Sequence, residues 1–125
     1  MRPEECRVLI IKGSEEIRTY TKEILEMINF KERNIFTSNN TDKALELLKT
    51  GSINLVLSES ESGIKLLSGL KETDLRAGIT FIFYTGGGEA YARGISEKYG
   101  ADGFIALPTT LKKFSYNMMR ILKKM

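Results

Sequence analysis

The stretch "INLVLSESESGIKLL", residues 53–67, changes character twice. Ile53 to Leu57 is an apolar, partly β-branched run too short for a helix, and it reads as a buried strand. Ser58 to Gly63 alternates serine with glutamate and ends on glycine, the composition of a polar turn. Leu66, Leu67 and Leu70 then return at helical spacing. A strand, a turn and a helix follow in order, and Glu59 stands just beyond the strand.

The same unit recurs on both sides. Besides Ile53–Leu57, strands are predicted at Arg7–Ile11, Asn34–Ser38, Ile79–Tyr84 and Gly103–Ala106. Between them lie helical stripes: Ile17, Tyr20, Ile24, Met27 and Ile28; Ala44, Leu45, Leu47 and Leu48; Tyr91, Ile95 and Tyr99; and finally Phe114, Met118, Ile121 and Leu122. Ser14 is placed to cap the first helix, with Glu15 and Glu16 in its positive first turn, and Asn40 or Thr41 to cap the second. Gly51 and Gly100 fall where helices should stop.

Five successive βα units predict an α/β fold, a doubly wound parallel sheet covered by helices on both faces in three layers, with strand order 2-1-3-4-5. The first and third strands are then neighbours, and a site belongs at their carboxyl ends. Those ends read "KGSEE" and "SESESG".

A chain of 125 residues is long enough for one hydrophobic core, so residues 1–125 are read as a single domain. No apolar run is long enough to span a bilayer, and the N-terminal residues lack the apolar core of a signal peptide, so the expected compartment is the cytoplasm. The single cysteine, Cys6, precedes an apolar strand and is read as an inert core thiol. The final segment, residues 111–125, carries five of the 19 basic residues and none of the 16 acidic ones. Its helical stripe leaves the lysines on an opposite, solvated face. Nucleic-acid binding through that helix stays a minor reading, because aromatic and basic residues are not interleaved there.

With no histidine in the chain, a Ser-His-Asp triad and a His-containing metal site are excluded. "TGGGEAY", residues 85–91, has neither the lysine of a phosphate-binding P-loop nor dinucleotide-binding spacing. Ser58, Ser60 and Ser62 have no evident activator. A Mg²⁺ site needs several hard oxygens converging from adjacent strand ends. Glu59 alone qualifies, because the first strand ends in Lys12 and Gly13.

Taken together, these segments resemble the receiver domain of two-component response regulators, the CheY-like or flavodoxin-like fold, over nearly the whole chain. "VLIIKGSEEIR" keeps the apolar run and the Ile17-Arg18 pair, with Lys12 and Gly13 where receivers have two aspartates. In "LVLSESESGIKLL" Glu59 takes the phosphoacceptor position, and the loop before Gly63 and Leu66-Leu67 is about four residues short. "FIFYTGG" supplies the expected Thr85 and Gly86. "YGADGFIALP" keeps Gly100-Ala101-Asp102, Phe104 and Pro108, with Leu107 in place of the lysine.

The resemblance implies a phosphoryl-transfer centre, and three of its parts depart from the pattern. Loss of metal ligands, acceptor identity and lysine together removes most of the charge stabilisation on which such transfer depends. The expectation is a degenerate phosphoacceptor pocket formed by Lys12, Gly13, Glu59, Thr85 and Leu107, with no catalysis, metal or cofactor. Glu59 reads as a solvated remnant in preference to a permanent phosphate mimic. Since Lys12 and Glu59 end neighbouring strands, a direct ion pair between them is a further expectation.

Function then belongs to surfaces. The resemblance implies a partner face on the fourth helix, fifth strand and fifth helix, including Tyr91, Arg93, Lys98, Tyr99, Phe104, Lys112 and Lys113. Phe104 matches the aromatic used by receivers as a rotamer switch, although core packing is its preferred role here. Gly94 weakens the fourth helix and makes it the expected mobile element. The reading is a phosphorylation-independent signalling module whose partner is a signalling protein such as a histidine kinase or an output domain, or a second copy in a homodimer. The alternatives are a receiver still active through Glu59 or a nearby serine, and nucleic-acid binding through the last helix.

Overall fold

The computed structural model describes residues 1–71 and 73–125. Its strands are β1 (Val8–Ile11), β2 (Ile35–Ser38), β3 (Leu55–Ser58), β4 (Thr80–Thr85) and β5 (Gly103–Ala106). Its helices are α1 (Glu15–Met27), α2 (Thr41–Lys49), α3 (Ser60–Leu70), α4 (Glu89–Tyr99) and α5 (Leu111–Lys124). The strands pair in parallel in the order β2-β1-β3-β4-β5, as the alternation of units predicts. Every residue of β1 and β3 is buried, which is why these strands read as continuous apolar runs.

Two apolar cores flank the sheet. Ile24 and Leu25 of α1 meet Phe114, Met118 and Leu122 of α5 over Val8, Ile10, Leu55, Leu57, Ile82 and Tyr84. The opposite core joins Ala44 and Leu48 of α2, Leu66, Leu67 and Leu70 of α3 and Ile95 of α4 to Leu9, Ile11, Val56, Phe81 and Phe83. Alternate side chains of each strand thus feed opposite layers. Cys6 lies fully buried in the first core, and burial pushes its thiol pKa up to about 12, so it stays protonated at neutral pH.

The capping predictions hold for α1 and α2: Ser14 Oγ accepts the Ile17 N–H at 3.2 Å and Asn40 Oδ1 accepts the Lys43 N–H at 2.9 Å. Gly100 ends α4 in the left-handed region at φ 73°, where glycine carries no Cβ penalty. Two predicted stripes need correction. Tyr20 and Met27 are exposed, and the buried strip of α1 runs through Thr21, Ile24 and Leu25. Thr21 takes the core position because its hydroxyl meets Tyr84 Oη at 2.9 Å. On α4, Tyr91 is exposed while Ala92, Ile95 and Ser96 face inward.

The predicted turn after β3 is the larger correction. Only Glu59 separates strand from helix, and Ser60 to Gly63 form the start of α3. Gly63 is buried inside the helix, and a Cβ there would come within 2.6 Å of the Phe83 ring. Its absence lets α3 lie close on β4. Gly94, by contrast, is exposed in α4 with open space around any added Cβ. Gly94→Ala is therefore expected to raise the unfolding free energy by about 0.5–1 kcal/mol, read by urea denaturation. A loss of stability would mean that α4 needs the glycine.

Candidate functional site

The carboxyl ends of β1, β3 and β4 meet beside one another, because Ile11 pairs with Ser58 and Ser58 with Phe83. The chain leaves β3 tied to β1 by Glu59 N–H donating to Ile11 O at 3.0 Å. The Glu59 side chain then turns back. Its Oε2 accepts the Gly13 N–H at 3.0 Å, and its Oε1 accepts the Ser62 hydroxyl at 3.2 Å. Both oxygens are thus engaged by the chain, and the carboxylate is held in place, not freely solvated as the sequence suggested.

Lys12 is buried at 7% exposure, and its ammonium donates to Tyr84 O at 3.2 Å. It has crossed the end of β3 to reach β4. The direct ion pair expected with Glu59 is not formed: no ammonium–carboxylate contact within 4.0 Å joins the two among the described residues. The backbone explains this outcome. Tyr84 O offers a fixed acceptor to the cation, while the Gly13 amide and Ser62 hydroxyl occupy the carboxylate. Burial lowers the Lys12 pKa from its ordinary 10.5, and the nearby Glu59 charge partly restores it.

A depressed lysine pKa has a defined consequence for stability. Between the native and unfolded pKa values the unfolded chain binds more protons, so stability rises with pH across that window. Below the native value the cost of burying the charge is fully present. Lys12→Met, which keeps the volume without the charge, is expected to stabilise the fold by about 1 kcal/mol at neutral pH. That advantage should shrink as pH climbs toward 10.5, in urea titrations of both chains. A variant less stable than the parent at neutral pH would show that the bond to Tyr84 O outweighs desolvation.

A second cation, legible in the sequence only as part of the retained Ile17-Arg18 pair, completes the site. Arg18 folds over the β1–α1 loop, donating to Lys12 O and to Gly13 O, the latter at 3.1 Å. The acceptors are backbone atoms, so residue identity gave no signal. Ser62 was more legible, since three residues separate it from Glu59 at the start of a helix. Thr85 is buried at the end of β4, and its carbonyl accepts the Leu107 N–H at 2.8 Å. Leu107, followed by a cis bond to Pro108, packs its side chain on the α1–α5 core. Lys12, Gly13, Glu59 and the Tyr84–Thr85 strand end therefore converge, and the Leu107 side chain leaves for the core.

A divalent metal fits this arrangement poorly. At the end of β1 the chain presents an ammonium and a glycine, and the one carboxylate has both oxygens bonded to the chain. Among the described residues no group of three or more histidine, cysteine or acidic side chains is placed to hold a metal ion. Two of the three nearby serines are enclosed: Ser58 is fully buried and donates to Glu59 O at 2.9 Å, and Ser62 is 9% exposed, whereas Ser60 is half-buried in the first turn of α3.

The predicted partner face divides in two. A groove of about 970 Å³ runs along the β5 edge between α4 and α5, with Arg93, Phe104, Lys113, Tyr116 and Arg120 among its walls. The Arg93 guanidinium lies 5.2 Å from the centre of the Phe104 ring, which packs partly against the α2–α4 core as expected. Tyr99 also packs on that core, under the Lys98 ammonium at 5.3 Å. Tyr91 and Lys112 are exposed outside the groove, whereas Tyr116 and Arg120, not singled out in sequence, line it.

No protein-family model and no curated protein matches the chain. Solved structures do. A response regulator receiver domain protein from Clostridium thermocellum superposes with a TM-score of 0.77 at 20% identity, covering 95% of each chain. The chemotaxis response regulator CheY4 of Vibrio cholerae gives 0.80 at 14% identity, covering 93% of this chain and 98% of that one. The signal receiver domain of a signal transduction histidine kinase from Syntrophus aciditrophicus gives 0.77 at 25% identity, covering 94% and 89%. The chain has the CheY-like receiver fold.

Proposed function

We propose that this protein is a receiver-like module of two-component signalling that acts through protein contacts, without phosphorylation and without catalysis. One observation carries the reading. Where the receiver resemblance requires metal-binding carboxylates, a buried Lys12 ammonium is bonded to Tyr84 O, and Glu59 is bonded to Gly13 and Ser62. Phosphoryl transfer needs developing negative charge to be stabilised by preorganised cations at the acceptor. Lys12 is committed to a carbonyl, and Leu107 brings no charge. The structural neighbours support the signalling context, including the receiver of a histidine kinase. The partner in this reading is a kinase or output domain docked on the groove between α4 and α5.

Incubation with Mg²⁺ and acetyl phosphate, followed by intact mass measurement, is expected to leave the chain unmodified. A phosphoryl adduct that disappears in Glu59→Ala or Ser62→Ala would overturn the proposal in favour of an active acceptor.

A further inference from the structure

Helices α1 and α5 lie side by side on one face of the sheet, bridged by Tyr84, whose hydroxyl meets Thr21 of α1 and whose ring meets Phe114 of α5 edge-on at 5.8 Å. Their outer surfaces carry opposite charge. On α1, Glu15, Glu16, Glu23 and Glu26 are exposed, while Arg18 is turned onto the Lys12 and Gly13 carbonyls and Lys22 pairs with Glu32 at 3.5 Å. On α5, Lys112, Lys113, Arg120, Lys123 and Lys124 are exposed and no acidic residue is present. None of these nine charges makes an ion pair within 4.0 Å among the described residues.

The two sets have the same spacing. Glu15 and Glu16 in the first turn of α1 correspond to Lys112 and Lys113 in the first turn of α5, and Glu23 and Glu26 correspond to Arg120 and Lys123. Several of these charges oppose their own helix dipole: Lys112 and Lys113 sit at a positive N-terminus, and Glu26 sits in the negative last turn. Those three gain nothing from their own helix, whereas Glu15, Glu16, Lys123 and Lys124 suit theirs. Exposed apolar bulk gathers in the same layer. Tyr20 and Met27 on α1, Leu111, Tyr116 and Met119 on α5, and Met1, whose amino group donates to Leu122 O at 2.8 Å, are exposed; Tyr91 is the one large exposed apolar side chain described elsewhere. Most of the large exposed apolar side chains thus belong to this layer, beside the opposed charges.

We infer that this face binds a second copy of the chain. A two-fold axis lying in the interface and running along the helices sets α1 of each protomer against α5 of the other, in parallel, so that each carboxylate pair meets a cation pair. An axis across the helices would set like charges together and is excluded. Each helix is only about 20 Å long, so the patch is small and the dimer is weak, with a dissociation constant on the order of 10–100 µM at low salt.

Sedimentation velocity at about 300 µM chain tests this in about 20 mM and about 0.5 M NaCl, between which the screening length falls from roughly 20 Å to about 4 Å. The expected result is a dimer at low salt whose dissociation constant rises at least about tenfold at high salt. Two charge reversals, Glu23→Lys with Glu26→Lys and Arg120→Glu with Lys123→Glu, should each give a monomer. Mixed one to one, they should form a heterodimer, because each then meets its complement on both halves of the interface. Far-UV circular dichroism of each variant establishes that it is folded. A parent chain that stays monomeric at low salt, variants that dimerise as the parent does, or folded variants that fail to pair when mixed would overturn the inference. So would a monomer that binds short duplex DNA at low salt, which would assign α5 to nucleic acid.

Discussion

Phe114→Ala is expected to lower the unfolding free energy by about 3–5 kcal/mol, the usual cost of emptying a buried phenylalanine site. The ring is fully buried and stands edge-on to Tyr84 at 5.8 Å, in the layer shared by Met118, Leu122, Ile24 and Leu25. The sheet beneath cannot rise to fill the hole without breaking its ladders, and α1 is held by the Thr21–Tyr84 bond. Most of the cavity should therefore remain. Urea denaturation gives the loss directly, and a fall in Tm on the order of 10–20 °C should accompany it. Phe114→Leu should lose no more than about 1.5 kcal/mol. A loss below about 1 kcal/mol in the alanine variant would contradict the placement of α5 on the sheet.

Asp102→Ala should cost about 2–3 kcal/mol through a different cause. Asp102 extends the pairing between β4 and β5 by one residue: its own N–H donates to Phe81 O at 2.8 Å, and its carboxylate accepts the Phe81 N–H at 2.7 Å. The same carboxylate oxygen takes Arg76 Nη2 at 3.2 Å, and Arg76 also donates to Gly100 O and Ile79 O. Removal leaves the amide of a fully buried residue without its charged acceptor. Asp102→Asn retains an acceptor and should recover about half of the loss. Equal losses in both variants would show that the charge, and not the hydrogen bond to Phe81, holds the strand start.

The element order and the 2-1-3-4-5 sheet were legible because strand burial, helix periodicity and caps all state the same unit repeatedly. Asp102 was legible only as part of a motif, and its bond to the Phe81 amide gives that motif a physical basis. Strand limits were less clear. Asn54 anchors the start of β3 by accepting the Arg7 N–H through Oδ1 at 2.8 Å, so the ladder begins at Leu55 and not at Ile53. Tyr20 and Met27 fit a helical stripe by spacing, yet Thr21 took the inner place through a hydroxyl partner on another element. In the pocket, Lys12 and Glu59 were found as residues, but their partners were not. Tyr84 O, Gly13 N–H and the carbonyls under Arg18 are backbone groups common to every residue type, and only folding reveals them.

The tether between Lys12 and Tyr84 O also bears on how such a domain would carry information. A centre that is chemically charged and discharged divides a population into two states, and a cell reads their ratio. On the proposed reading, every copy of this chain carries the same internal cation, and this centre has no second covalent state to populate. What can vary is the number of copies, so the quantity transmitted downstream would be dosage, set by synthesis and degradation.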